Sequence, residues 1–359
     1  DAGIEVEEEL RAMAIRAEQT QVTDLRAIGA ILPLSGRTQA IGQNALRGIM
    51  LAAGLPSPTP SKDGQFQVFL RDSGGDPAKA AQAVDELVSL HRVVAIVGPL
   101  SSEETAAASA RAMELGVPLL ALSPSVPTGN PWVTRMLPTL DDEVASLTAE
   151  IFRRKLQRIA ILRPDNAFGL AFEARVRAAL PHLPKEAVQG LHYAEDAKSF
   201  GSLLEPLGKN PPDALLIGDV ASRVTLIAPA LAAAGLWPEG NPNVPKGGRT
   251  IPWLLPSVAY DRSTLSLGGR YAEGALFAVP FDPNQQTGDS NAVGFATKYL
   301  DRFGHSPDVF SEASHRAFHL VREAVEGGAP SRARVAETIR TRPENTDGTR
   351  RIPLMPFQP

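Results

Sequence analysis

Residues 28–48 read IGAILPLSGRTQAIGQNALRG. An apolar run from Ile28 to Leu32 breaks at Pro33-Leu34-Ser35-Gly36, and a helical spacing follows, with Ile41, Ala45, Ile49 and Met50 on one predicted face. A buried strand that ends in a small, hydroxyl-bearing turn and runs into a helix is the repeating unit of an open α/β sheet. In such sheets ligands bind outside the carboxyl ends of the strands. The design returns at 93–102, VVAIVGPLSS, where the hydroxyls of Ser101 and Ser102 fall at the start of the next predicted helix. Two such turns on one sheet point to binding of a small molecule and away from catalysis.

Outward from these stretches, strands and helices alternate. Strands are expected at Ala27–Leu32, Phe66–Leu70, Val93–Val97 and Leu119–Leu122, with helices over 40–53, 77–90 and 102–115. Ala80, Val84, Leu87 and Val88 line one face of the second helix, and Gly116 stops the third. After Pro138 the pattern restarts. Helices over 141–155, 169–180, 199–208 and 221–235 alternate with strands at Arg158–Leu162, Leu191–Tyr193, Ala214–Ile217, Trp253–Leu255 and Gly274–Val279. Two more helices, over 288–303 and 310–326, close the series. Helical crossovers of this length imply parallel sheets, so the fold class is α/β, in two Rossmann-like lobes. Pro- and Gly-rich stretches at 54–65 and 237–250 read as surface insertions. Residues 1–25 read as a separate helix, with Val6, Leu10, Met13 and Ala14 on one stripe.

Composition narrows the function. A chain of 359 residues with 43% apolar content fills two cores. Its net charge of −4, without a basic run, lacks the clustered positive surface that nucleic acid requires. No apolar stretch approaches the length of a membrane span. The absence of cysteine removes disulfides, thiol catalysis and Cys-type zinc sites. The chain begins at Asp1, not at an initiator Met, from which a removed leader or upstream segment is expected. His315 and His319 have the i, i+4 spacing of metal ligands, but no Asp or Glu completes a set at a familiar spacing, so no metal is expected. No phosphate-binding lysine loop, dinucleotide fingerprint or nucleophile elbow is present, and neither an enzyme nor a cofactor is expected.

The order and spacing of several segments resemble the type I periplasmic binding proteins of the leucine/isoleucine/valine-binding family. The resemblance is carried by IGAILPLSG (28–36), DPAKAAQAVDELV (76–88), VVAIVGPLSS (93–102), GVPLLALSPS (116–125), RIAILRPDNAFG (158–169), PDALLIG (212–218) and YAEGALFAVPFDP (271–283). GPLSSEET, GVPLLALSPS and LGGRYAEGALF are similar, within that family, to the branch of penicillin-binding-protein activators. The resemblance implies two lobes joined by three crossings, near Pro138–Asp141, Pro280–Asp282 and 330–340. Lobe 1 is then 26–138 plus 281–330, and lobe 2 is 139–280 plus 331–359, after the N-terminal helix over 1–25. It implies an extracytoplasmic receptor, lipid-anchored in its full-length form, that closes on a small polar ligand such as an amino acid and presents it to a membrane permease. The activator branch implies instead a lipoprotein regulator that binds a cell-wall synthase and keeps a vestigial cleft.

Site residues follow from the same segments. Ser35 and Arg37 flank the first turn. Leu100, Ser101 and Ser102 occupy a matching family position, where hydroxyls and N–H groups at a helix start suit a carboxylate, and either serine also suits a helix cap, with Glu103 and Glu104 in the first turn. Ser123 and Ser125 end the next strand, followed by Val126 and Pro127 where amino-acid binders carry a small residue and Thr. From lobe 2 come Asn166 and Phe168, the latter where the family often has Tyr. Asp219 is a candidate negative charge, and Ser257 and Tyr260 follow the Trp253–Leu255 strand. An acidic residue is common in the family at the position of Ser257. Its replacement counts against an α-amino ligand, because a buried ammonium without a carboxylate is costly. Arg135 is expected to tie the crossover to a carboxylate.

Overall fold

The computed structural model describes residues 23–55, 65–283, 290–342 and 352–358. The helix expected over 1–25 and most of the 54–65 insertion lie outside them. The described chain forms two compact units. One runs up to Leu137 and resumes at Phe281, ending with residue 342, and the other comprises Pro138–Pro280 and residues 352–358.

In the first unit, β1 (Asp24–Leu32), β2 (Gln67–Asp72), β3 (Val93–Val97), β4 (Leu119–Ala121) and β5 (Val133–Arg135) form a sheet in the order β2-β1-β3-β4-β5. All its pairs are parallel. Helices α1 (Gln39–Ala53), α2 (Pro77–Ser89) and α3 (Ser102–Glu114) connect the strands, and α10 (Ser290–Phe303), α11 (Val309–Glu326) and α12 (Arg332–Arg340) follow later in the chain. Along β1, Ile28, Ala30 and Leu32 join Ala45 and Ile49 of α1 and Ala317 and Val321 of α11 in one core. Ala27 and Ile31 face Val84 and Leu87 of α2 and Ala108 of α3 in the other. A strand covered on both faces reads as a continuous apolar run, which is why Ile28–Leu32 carries no polar alternation.

The buried stripe of α1 differs from expectation. It is Gly42, Ala45, Gly48, Ile49 and Ala52, whereas Ile41 is exposed and Met50 half-buried. Small residues face inward because α11 lies against them. Ser314 Oγ donates to the Ala45 carbonyl at 2.7 Å, and a Cβ at Gly48 would stand 2.1 Å from the Ser311 carbonyl oxygen.

The second unit repeats the winding. Its strands are β6 (Ile159–Pro164), β7 (Val188–Tyr193), β8 (Ala214–Ile217), β11 (Trp253–Leu255), β12 (Leu276–Ala278) and β13 (Leu354–Pro356), in the order β13-β12-β11-β8-β6-β7. Only β13 runs antiparallel, against β12. Helices α4 (Leu140–Arg154) and α5 (Ala167–Ala179) cover one face; α6 (Gly201–Lys209), α7 (Ala221–Ala233), α8 (Arg262–Ser266) and α9 (Gly269–Ala272) cover the other. The expected insertion at 237–250 is partly ordered as a small parallel pair, β9 (Leu236–Pro238) with β10 (Arg249–Ile251).

One boundary moves. Residues from 331 onward were expected in lobe 2, yet α12 belongs to the first unit. Val335 and Ile339 are buried in its core, Arg332 Nε donates to the Val93 carbonyl at 2.8 Å, and Arg342 pairs with Glu323 at 2.8 Å. The chain leaves this unit for the last time after α12.

Candidate functional site

Both sheets share one strand order, second-first-third-fourth-fifth, so each has a topological switch point between its first and third strands. Loops that leave the carboxyl ends of those two strands diverge to opposite faces and open a crevice. In the first unit these are the turns after β1 and β3. In the second they follow β6 and β8.

At the first switch point, Ser35 and Arg37 are exposed on the turn after β1. Asp72 at the end of β2 anchors that turn, accepting from the N–H groups of Leu34 and Gly74, both at 2.8 Å. Partial burial works to raise the Asp72 carboxyl, but the Ser35 hydroxyl and the surrounding N–H groups outweigh it and hold it below the usual range. The turn after β3 presses directly on β1, since a Cβ at Gly98 would lie 2.1 Å from the Ile31 carbonyl oxygen. Beyond it Leu100 packs against the core, and Ser101 caps α3. Its Oγ accepts from the Glu104 N–H at 3.2 Å and donates to Glu104 Oε2 at 2.6 Å, so the Ser101 hydroxyl proton is committed to the cap. Ser102 begins the helix and is exposed. One strand over, Ser123 is buried; its Oγ accepts from the Ser125 N–H at 3.2 Å and donates to the Ser125 carbonyl at 3.0 Å, while Ser125 itself is exposed. Arg135 lies half-buried in β5.

At the second switch point, Asn166 caps α5, accepting from the Gly169 N–H at 2.9 Å and donating to Glu195 at 3.2 Å. Phe168 is half-buried and stacks on Phe172 with ring centroids 6.3 Å apart. The turn is pinned from below by Arg163, which pairs with Asp165 at 2.6 Å and Glu173 at 2.7 Å. Asp219, after β8, is buried. It accepts from the Tyr193 hydroxyl and, at 2.8 Å, from the Val220 N–H, with Arg223 Nε at 3.8 Å. Burial, together with this carboxylate, pushes the Tyr193 phenol up. Asp219 therefore has partners within its own unit.

Ser257 after β11 is held by a residue far away in sequence. Its N–H donates to Glu143 Oε2 at 2.8 Å and its hydroxyl to Glu143 Oε1 at 2.6 Å. Glu143 stands in the first turn of α4. Because α4 leads into β6, that turn lies at the carboxyl edge of the sheet. Tyr260 packs edge-on against Phe277, with centroids 5.4 Å apart. The sequence reading brought forward neither Glu143, Tyr193, Arg163 nor Arg223. Ser257, Asp219 and Glu173, the partners of the first three, lie 114, 26 and 10 residues away; only the Arg163–Asp165 and Arg223–Asp219 pairs are within local reach.

His315 and His319 have Nε2 atoms 3.2 Å apart, and Arg322 contacts the other nitrogen of His319. Among the described residues no group of three metal-ligand side chains occurs, and no helix is long and apolar enough to cross a membrane. Two pockets of about 470 and 420 Å³ open in the second unit, one beside Trp237, Pro245 and Tyr271 and the other beside Arg154 and Glu239. Both sit where helices end and strands begin, at the edge opposite Ser257, and contain no sequence-predicted site residue.

Two α/β units of the same winding, with serine turns at the first switch point and Asn166 and Asp219 at the second, have the architecture of a two-lobed binding protein. A family model described as periplasmic binding protein matches residues 27–354. The chain belongs to that family, as its segments implied. Similar solved structures include one described as a branched-chain amino acid ABC transporter from Rhodospirillum rubrum, at 20% identity and TM-score 0.72, covering 87% of this chain and 88% of the other. A second is an ABC transporter substrate-binding protein from Desulfitobacterium hafniense in complex with Leu, at 18% identity and TM-score 0.58, covering 88% of each chain. A third is a solute-binding protein from R. palustris in complex with benzoate, at 18% identity and TM-score 0.52, covering 88% of this chain and 85% of the other. None of the three is a penicillin-binding-protein activator. No curated protein matches the chain.

Proposed function

We propose that the protein is a non-catalytic, extracytoplasmic receptor. It takes a small polar solute, an amino acid or a related carboxylate, on the carboxyl edges of its two sheets and delivers it to an ABC-type membrane permease. The observation that supports this most is the repeated strand order, which sets polar turns at both switch points: Ser35, Ser101 and Ser102 on one sheet, Asn166 with Asp219 on the other. The exposed N-terminus of α3 at Ser102 suits a ligand carboxylate, since its first N–H groups point out of the helix and its dipole favours an anion. Phe168 supplies an apolar face for the rest of the solute. The folds with bound Leu and benzoate bracket the size and polarity expected.

Thermal unfolding in the presence of natural amino acids and small carboxylates tests the proposal. A ligand at about 100 times its dissociation constant adds ~2.7 kcal/mol, which raises the midpoint by roughly 5–10 °C in a unit of this size. Solution scattering at saturation should show a smaller radius of gyration, as in hinge closure. No stabilisation by any compound, with no small molecule carried through purification in native mass spectrometry, would remove the receptor reading.

A further inference from the structure

We infer that the pocket beside Trp237 and Tyr271 is a second small-molecule site, at the edge of the second unit opposite Ser257, and that it takes an anion with a flat apolar body, an aryl carboxylate. The inference does not rest on the receptor reading above, because this pocket shares no residue with the turns at the switch points.

One wall comes from the Pro- and Gly-rich insertion at 237–250. The segment pairs as β9 with β10 and is tied to α9. Asn241, which is buried, donates from Nδ2 to the Arg270 carbonyl at 2.8 Å and accepts from the Asn243 N–H at 2.8 Å. The last turn of α7 meets the segment with Ala232 and Ala233, whose methyl groups leave the space that longer side chains would fill. Trp237 from β9, Pro245 from the loop and Tyr271 from α9 complete an apolar lining, with the two ring centroids 5.8 Å apart. The volume of about 470 Å³ falls within the ~300–1,000 Å³ typical of small-molecule sites.

Charge decides the class of ligand. Arg270 lines the same pocket and is exposed. Its guanidinium carbon lies 4.5 Å from the Tyr271 ring centroid, and one N–H is given to the Tyr271 hydroxyl. Stacking of this kind orients the planar guanidinium. Among the described residues its side chain makes no ion pair and no other hydrogen bond, so most of its N–H donors remain for a ligand. The other pocket of this unit gives the contrast. It also contains an arginine, but Arg154 there is paired with Glu150 and Glu239. Glu273 borders that second pocket and accepts from Asn243 at 3.4 Å, with no pairing to Arg270. An unanswered cation beside two aromatic rings selects an anion whose body is apolar and flat. A cationic ligand would be repelled, and an inorganic anion would leave the apolar wall unused.

Titration calorimetry on the full chain with 2-naphthoate and its uncharged counterpart, 2-naphthamide, tests this. The acid should bind on the order of 10-fold more tightly than the amide, as one charge-assisted contact provides. Arg270→Gln, a change at an exposed side chain, should remove that preference. Ala233→Phe fills the space from an exposed position on α7 and should abolish binding of both compounds. Thermal unfolding checks that each variant is folded. Equal affinity for acid and amide in the parent chain would overturn the inference. So would an acid preference that survives Arg270→Gln, or binding that survives Ala233→Phe, since the compound would then sit elsewhere. Binding of neither compound also overturns it. Each of these outcomes leaves the receptor reading standing, because that reading concerns the opposite edge.

Discussion

His315, on α11, shows how one residue's surroundings set a measurable response. Arg322 donates to Nδ1 of His319, so the His319 proton sits on Nε2 and is given to His315 Nε2, 3.2 Å away. Both rings are then neutral. Burial first, then the proximity of His319, Arg322 and, from α10, Lys298, pushes His315 down to about 3. His319 is lowered for the same first reason, with Glu323 and Glu326 opposing. Unfolded, each titrates near the ordinary value of about 6.5. Between those values the unfolded chain binds more protons, so this stability is complete above about pH 6.5 and drains away as pH falls toward 3. Urea unfolding at pH 7.5, 6.5, 5.5 and 4.5 should show a falling midpoint, with a loss on the order of a few kcal/mol. His315→Leu should flatten that slope; an unchanged slope would refute the account. Ser101→Ala, in turn, should cost about 1 kcal/mol through the lost cap, seen as a lower midpoint at constant m-value. A serine cap at this helix start was legible in the sequence, because Ser101 and Ser102 stand just ahead of an acidic first turn, Glu103 and Glu104. Glu143 was not, since its meaning depends on a serine 114 residues away.

Between α1 and α11 the contact is made by small residues and by backbone. Ser314 reaches the Ala45 carbonyl, and Gly48 leaves no room for a side chain beneath Ser311. Gly48→Ala gains intrinsic helix propensity of about 1 kcal/mol, yet its methyl meets backbone that cannot rotate aside. The helices must separate, and overpacking of this kind costs ~1–3 kcal/mol or more. The net sign expected is destabilisation, measured by denaturant unfolding; a stabilised variant would show that α11 is free to shift. Element by element, the long periodic helices and apolar strands were readable, and Ala214–Ile217 and Trp253–Leu255 fall at the expected ends. Strands β5, β9, β10 and β13, three residues each, were missed. Three residues are too few to show an alternation, and such strands exist only because a neighbouring edge accepts them. Helix α12 was missed for another reason: RARVAETIR offers just two buried apolar positions, Val335 and Ile339, one turn apart in a charged run.

Across the whole molecule, the chain order makes the second unit depend on residues that arrive last. After α12 the chain returns to it, and β13 adds an antiparallel edge to β12. Phe357 then inserts into the core with its ring edge-on to Phe277, centroids 6.4 Å apart. Its N–H donates to the Ala275 carbonyl at 2.8 Å, and its own carbonyl accepts from Gly274 at 2.9 Å. Phe357 is fully buried, so truncation to alanine removes apolar contact and leaves a cavity, together worth ~3–5 kcal/mol. The loss should be local in its first effect, because the core of Ala45, Phe318 and Val335 in the first unit shares no residue with that of Phe277 and Phe357. Native-state hydrogen exchange on Phe357→Ala should therefore show weakened protection in β11, β12 and α7, with protection in β1 and β3 kept near that of the parent chain. Equal weakening in both sheets would mean that the two units unfold as one cooperative block and that the closing segment stabilises both.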